Sequence, residues 1–460
     1  MSWTEVSSGR WERPLDMVEA AFVAVAAGTA QFGRGDRDIF TTIKFNIVDA
    51  SDERKSLNSK DVESQLRRAW KQVRFEHPHV ASTIEDNKFV YQVPADDSVV
   101  EKWLDETFNV SSASDADELF RALKIITRPT LFYIPKSQEL MFRVEHSRAD
   151  GVGSLLFWDD FLTALTAPMA DPIVFGSEPS RLPPAKEGLL GPLPKEATPE
   201  QAEKMKSYFA KFLDALPGIG PVTKAGLVPP GPCRYLPAVL PTTETEAIIK
   251  TCKAKGVGVT SAVQAAMMMA RMKHADPKSN LSDTAALTFA DWRPYLPEPY
   301  NKCAVSSYFT IYPLTTSVTP DFWQAVRQFD TIYKAELKTR ESLALNYHQI
   351  LSYVGLFFGT ATKDDITMHA DTALSSCGVL ERYFHRSYTG PQIHVEVEDL
   401  NVGNDILNSE NNRASLAILY TFRDKLHLMY DFNEASEEPA SVQAYLEDVK
   451  KVLCDQMAGR

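Results

Sequence analysis

Apolar residues recur at helical spacing in some stretches of the chain and alternate with polar ones in others. Met17, Ala20, Ala21, Ala24 and Val25 form a tight stripe that predicts a helix over 17–27, with Asp16 as its cap. Ile39, Thr41, Ile43, Phe45 and Ile47 alternate with Phe40, Thr42, Lys44 and Asn46, the signature of a half-buried strand. Val62, Leu66, Ala69, Trp70 and Val73 predict a helix over 60–76. It stops at His77-Pro78, because a residue before proline is pushed out of the helical region. A strand over 89–93, a helix over 98–108 capped by Ser98 and a polar loop over 111–118 follow. Strands over 131–134 and 140–146 then pair across a short turn. In the second of these, Leu140, Phe142, Val144 and His146 share one face, and Met141, Arg143 and Glu145 the other. An imidazole therefore stands in phase with the buried side at a strand end. Asp150-Gly151 and a helix burying Val152, Leu155, Leu156, Phe161 and Leu162 come directly after it.

From Ala167 to Cys233 prolines crowd the chain, interrupted by one helix over 199–215, which reads as a crossover between two regular halves. The second half opens with a strand over 233–240. Thr243-x-x-Glu246 has capping-box form and starts a helix that Gly256 ends. Thr260 caps a methionine- and alanine-rich helix over 261–274, whose stripe reads as core packing rather than a binding surface. Strands over 285–289, 305–312 and 393–397 follow, with a helix starting at Thr319-Pro320-Asp321. A hairpin over 416–422 and 426–432 precedes a closing amphipathic helix. Strands and helices mix in both halves without strict alternation, which predicts an α/β (α+β) protein of two sandwiches rather than a doubly wound fold. The expected domains are 1–180, a crossover 181–232, and 233–460.

Composition narrows the function classes. The 460 residues carry a net charge of −12, which argues against non-specific nucleic-acid binding and against an anionic membrane surface. The five cysteines are scattered, with no Cys-x-x-Cys pair, so neither a disulfide framework nor a metal cluster is expected. No charged-then-apolar leader and no spanning apolar run is seen, so the expectation is a cytoplasmic protein.

The phosphate-loop, dinucleotide, zinc-protease and nucleophile-elbow signatures are all missing. His146-x-x-x-Asp150-Gly151 remains. It fits two readings: a buried histidine bonded to a neighbouring carbonyl, or a general base, since neutral imidazole takes a proton from an alcohol near neutral pH. Asp150 then holds the turn by pairing with a cation, and Gly151 allows a tight fold behind the histidine. His77 and His79, flanking Pro78, read as structural, and His394, in phase with Glu396 and Glu398, as solvent-facing.

Trp70 to Ala81 with its His-Pro end, His146-x-x-x-Asp150-Gly151, Asp291-Trp292-Arg293-Pro294 and Tyr308 to Pro313 occur in this order. Together they resemble the CoA-dependent acyltransferase superfamily, which includes chloramphenicol acetyltransferase, the plant BAHD enzymes and the condensation domains of peptide synthetases. The opening Trp11-x-Arg-Pro-Leu-Asp16 and the proline-rich crossover resemble most the fungal acetyltransferases of the trichothecene 15-O-acetyltransferase type.

The resemblance implies two chloramphenicol acetyltransferase-like sandwiches with mixed sheets, flanking helices and a channel between them. It further implies a monomer that moves an acyl group, an acetyl above all, from acetyl-CoA to a hydroxyl of a lipophilic secondary metabolite such as a terpenoid, without a metal. His146 matches the base, Asp150 the supporting aspartate and Arg293 its partner. Thr310 or Ser375-Ser376 are candidate oxyanion or substrate-binding hydroxyls, against a purely structural role. Glu145 stands where condensation domains carry a second histidine, and the plant Asp-Phe-Gly-Trp-Gly motif is absent. The alternative is a condensation-type enzyme or cyclase that uses the same channel without CoA.

Overall fold

The computed structural model describes residues 2–33, 35–168, 173–190, 198–216, 218–221, 224, 231–275, 281–341, 343, 368–369, 371–407, 412–413 and 415–457. The chain forms two compact units. The first comprises Met1–Gly191, Trp292–Tyr308 and Leu380–Asn404; the second comprises Pro192–Asp291, Phe309–Val379 and Asp405–Arg460. Two stretches expected in the second lobe, 292–308 and 380–404, thus belong to the first. The reason is pairing: Ile393–Asn404 runs antiparallel along the whole of Ile39–Asp49, from Ile393 opposite Asp49 to Asn404 opposite Ile39. The expected crossover 181–232 is also divided. Residues 181–190 pack in the first unit and the helix Pro199–Ala215 in the second, while 191–197, 217, 222–223 and 225–230 lie outside the described residues.

The main sheet of the first unit has the order Ser387–Thr389, Ile393–Asn404, Ile39–Asp49, Glu139–Val144, Thr130–Ile134, Phe108–Val110, with Asp52–Ser56 added on Ile39–Asp49. Its last pair is parallel and the others antiparallel. The helices Ser59–Glu76 and Gly151–Thr166 supply Trp70, Phe157, Trp158 and Phe161 to its core. The ring of Phe157 stacks on Phe142 of the sheet at 3.8 Å. Two of the buried indole N–H groups meet threonines: Trp158 Nε1 donates to Thr41 Oγ1 at 2.8 Å and Trp70 Nε1 to Thr107 Oγ1 at 3.0 Å. That satisfaction is what allows them inside.

The strand expected over 140–146 spans Glu139–Val144 and is covered on both faces, so Met141 and Arg143 are as buried as Leu140 and Phe142. The cause lies in 111–118, read above as polar loop. Asp115 instead caps a helix, Ala116–Ala122, whose Leu119 and Phe120 are buried; Phe120 lies 4.3 Å from Phe40 of the sheet. Arg143 is accommodated by Asp38 at 3.4 Å. Three caps also move: Asp96, not Ser98, caps Asp97–Thr107; Gly258, not Thr260, precedes Val259–His274; and Pro241 precedes Thr242–Ala254 without a side-chain cap.

In the second unit the six-stranded sheet has the order Cys233–Leu240, Lys425–Asn433, Leu416–Phe422, Ala373–Val379, Asp283–Asp291, Phe309–Ser317. It is mixed, because Ala373–Val379 runs parallel to both its neighbours. The helices Val259–His274, Phe322–Glu336 and Pro439–Met457 bury Met267, Met268, Val326, Phe329, Leu446 and Val449 in its core, so the methionine stripe is packing. Among the described residues no helix is long and apolar enough to cross a membrane.

The N-terminal helix Met17–Thr29 is anchored more firmly than its apolar stripe suggests. Asp16 and Glu19 form a reciprocal capping box. Glu19 also holds Arg13 through two 2.9 Å bonds, and Asp16 receives Lys186 Nζ at 3.1 Å, with all four side chains buried. Removing one partner of a buried pair leaves an uncompensated charge. Asp16→Ala is therefore expected to cost about 3–5 kcal/mol, and the paired change Asp16→Asn with Lys186→Met distinctly less, as read by urea unfolding.

Candidate active site

The candidate site is built on the turn that follows Glu139–Val144. The strand ends two residues before His146, so the imidazole is carried by a turn and not by the strand itself. His146 is half-buried, while Ser147, Arg148, Ala149 and Asp150 beyond it are fully buried. Arg148 turns away from the imidazole: it donates to Glu145 at 3.1 Å, bonds Ser82 and lies over the ring of Phe89. Ser82 in turn contacts His79 Nδ1 at 3.0 Å, and burial holds His79 well below the usual histidine range. His77 pairs with Asp160 at 2.9 Å.

Asp150 is the N-cap of Gly151–Thr166, accepting from Gly153 N at 2.7 Å. Both its oxygens lie 2.9 Å from Arg293 Nη1, and Tyr308 N donates to Oδ2 at 2.6 Å. Arg293 sends its other terminal nitrogen to Ser306, at 3.0 Å to the carbonyl and 2.9 Å to the hydroxyl. Both oxygens of the carboxylate are thus engaged by donors. Residues 305–308, read above as the start of a strand, belong to a loop over 303–308, and the strand begins only at Phe309. The loop lies against the helix start: Val305 N donates to Gly153 O at 3.2 Å, Asp150 N to Ser306 O at 3.1 Å, and Ser307 Oγ to His146 O at 3.2 Å. Val305 has φ +48°, a strained value for a β-branched residue.

The glycine this packing demands is Gly153, since a Cβ there would stand 2.6 Å from Ser306 O. Gly151 is the first residue of the helix. The partners of Asp150 other than Arg293 went unseen in the sequence because Tyr308, Ser306 and Gly153 act largely through backbone atoms, which leave no residue signature. The second glycine after the aspartate was the one available signal.

The ring of His146 is stacked on Phe22, with centroids 4.1 Å apart and planes 12° from parallel. Loss of hydration brings the pKa of the imidazole down to about 4, outweighing the nearby carbonyls of His146 and Ala149 and the charge of Asp150, which favour the protonated form. Near neutral pH the imidazole is therefore unprotonated, and it is only half-buried. Cys303, beside Arg293, is pushed up to about 11 by burial and stays a thiol.

The remaining candidates lie in the second unit. Thr310 is buried opposite Ala290, and its hydroxyl meets no hydrogen-bond partner among the described residues. Ser375 is half-buried; Ser376 is exposed, and its hydroxyl is bonded to Thr260 at 2.9 Å. Among the described residues no cluster of three His, Cys, Asp or Glu side chains suits a metal ion.

The solved structure of TRI3 trichothecene 15-O-acetyltransferase from Fusarium sporotrichioides superposes with a TM-score of 0.82 at 18% identity, covering 98% of this chain and 97% of that one. The chain has the fold of that acetyltransferase. Two proteins of Monascus ruber are similar over nearly its full length. Acetyltransferase pigO is 27% identical over 476 residues, spanning 100% of this chain and 99% of its own. O-acetyltransferase pigM is 25% identical over 475 residues, spanning 98% and 87%. No protein-family model matches.

Within the acyltransferase fold, the Asp150 site makes an asymmetric demand. Asp150→Ala leaves Arg293 buried without its carboxylate and should destabilise the protein by about 3–5 kcal/mol. Gly153→Ala should destabilise as well by forcing the Ser306 loop away. Thermal unfolding compared with Ser154→Ala, one residue on, checks both; equal melting temperatures would contradict this account of the loop.

Proposed function

We propose that the protein is an O-acyltransferase that moves a short acyl group, an acetyl above all, from acyl-CoA to a hydroxyl of a lipophilic small molecule of secondary metabolism. The observation that carries the reading is the division of labour between His146 and Asp150. The imidazole is neutral and partly open, while the carboxylate four residues on is consumed by Arg293, Gly153 and Tyr308. With its oxygens taken by these donors, Asp150 serves to hold the turn, and the proton transfer falls to the imidazole. The similarity to fungal acetyltransferases supports the choice of acyl group.

In this mechanism the imidazole takes the proton of the acceptor hydroxyl as its oxygen attacks the thioester carbonyl. The tetrahedral intermediate collapses by breaking the carbon–sulfur bond. The CoA sulfur leaves with the proton returned by the imidazolium, and the ester remains on the acceptor. No acyl-enzyme forms and no metal takes part. Asp150, Arg293 and Gly151 hold the turn that carries His146. Of the hydroxyl candidates, Thr310 suits the oxyanion role better than Ser376, whose hydroxyl is already bonded to Thr260. We place the enzyme in the cytoplasm as a monomer.

Incubation with labelled acetyl-CoA and a panel of terpenoid and polyketide alcohols tests the reading. His146→Ala should lower transfer by about 10²–10⁴-fold with the fold intact; near wild-type turnover in that variant would sink the assignment. Transfer from an acylated carrier protein but not from acetyl-CoA would replace the donor and favour a condensation-type enzyme.

The pH dependence has a definite sign. The folded pKa lies below the usual 6.5, so the unfolded chain binds the proton first as pH falls. His146 therefore contributes stability at neutral pH that is lost between about pH 6.5 and 4. In the same window kcat/KM should show no histidine-like limb near pH 6.5, and should fall only as pH approaches about 4. A pH–rate profile decides it; a limb at 6.5 would contradict the desolvated base.

A further inference from the structure

The opening motif Trp11-Glu-Arg-Pro-Leu-Asp16 caps and anchors the helix Met17–Thr29. The helix it starts carries Glu19 and Phe22, three residues apart and hence on one face. Glu19 is fixed by Arg13, and Asp16 by Lys186, so the helix start is held by two buried ion pairs. The same face delivers the Phe22 ring, itself buried, onto the imidazole of His146 at 4.1 Å and 12°.

We propose that Phe22 is a positioning residue for His146, whose flat ring fixes the plane in which the imidazole accepts its proton. The inference rests on the reading of His146 as the base. The lone pair that takes a proton lies in the imidazole plane, and rotation about the last side-chain torsion of histidine is broad and poorly confined on its own. A parallel aromatic ring in contact removes that freedom, which an aliphatic side chain of similar bulk would not. It also shields one ring face from water and so adds to the desolvation that keeps the base neutral. The buried pairs at the helix start matter because a stack can orient its partner only if it is itself immobile.

The test uses the full chain labelled with ¹³C at the histidine Cε1 position. The His146 signal is identified by its disappearance in His146→Ala. In the wild type its proton should resonate upfield, shielded by the ring current of Phe22. Phe22→Leu should move it downfield, and Phe22→Tyr should leave it in place. With acetyl-CoA and the best acceptor alcohol of the panel, Phe22→Leu should lower kcat roughly tenfold with KM changed less than about twofold, and Phe22→Tyr should restore most of it.

The proposal is overturned if Phe22→Leu leaves both signal and kcat at wild-type values, or if Phe22→Tyr is as impaired as Phe22→Leu. Failure of the acyl-transfer reading is recognised separately, by turnover that His146→Ala leaves intact; the stack would then have no catalytic consequence.

Discussion

The carboxylate of Asp150 is the point on which the local structure turns. It caps the helix Gly151–Thr166, neutralises the buried guanidinium of Arg293 and receives the N–H of Tyr308. These contacts tie together residues that are distant in sequence. A buried carboxylate is tolerable only when its lone pairs are met by donors of matching charge, and here a helix N-terminus, an arginine and a backbone amide meet that need. Because every donor is used inward, nothing of Asp150 is left to perturb the histidine beside it except its field.

His146 is held by other contacts. Its carbonyl accepts from Ser307, its ring stacks on Phe22, and its charge state follows the loss of water around it. A protonated imidazole in this setting would pay for desolvation with little return, so the ring is neutral by default. The strained Val305 and the close approach at Gly153 are the local cost of pressing the 303–308 loop against the helix start. Such strain survives only where surrounding contacts over-determine the backbone.

Legibility in the sequence followed the range of the interaction. The Met17–Thr29 helix and its Asp16 cap, the Ser59–Glu76 helix ending at His77-Pro78, and the hairpin Leu416–Phe422 with Lys425–Asn433 all rest on neighbours in the chain, and their periods are plain. Caps were read less well. Ser98, Thr243 and Thr260 look as suitable in sequence as the residues that take the place, and Asp96 prevails over Ser98 because its side chain already reaches two amides. The strand Glu139–Val144 misled for a different reason. Alternation implies one wet face, but Ala116–Ala122 covers that face, a helix hidden in a polar stretch of about two turns.

By itself the sequence determined the mixed α/β class, the position of the His146-x-x-x-Asp150-Gly151 turn after a strand, and the order of the segments around it, because these depend on period, punctuation and spacing along one chain. Tertiary structure decided which segments share a unit. Ile393–Asn404 joins Ile39–Asp49 through backbone hydrogen bonds that any sequence of strand character would make, so no residue announces the partner. It also decided which atoms complete the site. Tyr308, Ser306 and Gly153 contribute mainly amides, carbonyls and the absence of a side chain. Phe22 contributes a ring whose meaning depends wholly on what lies opposite it.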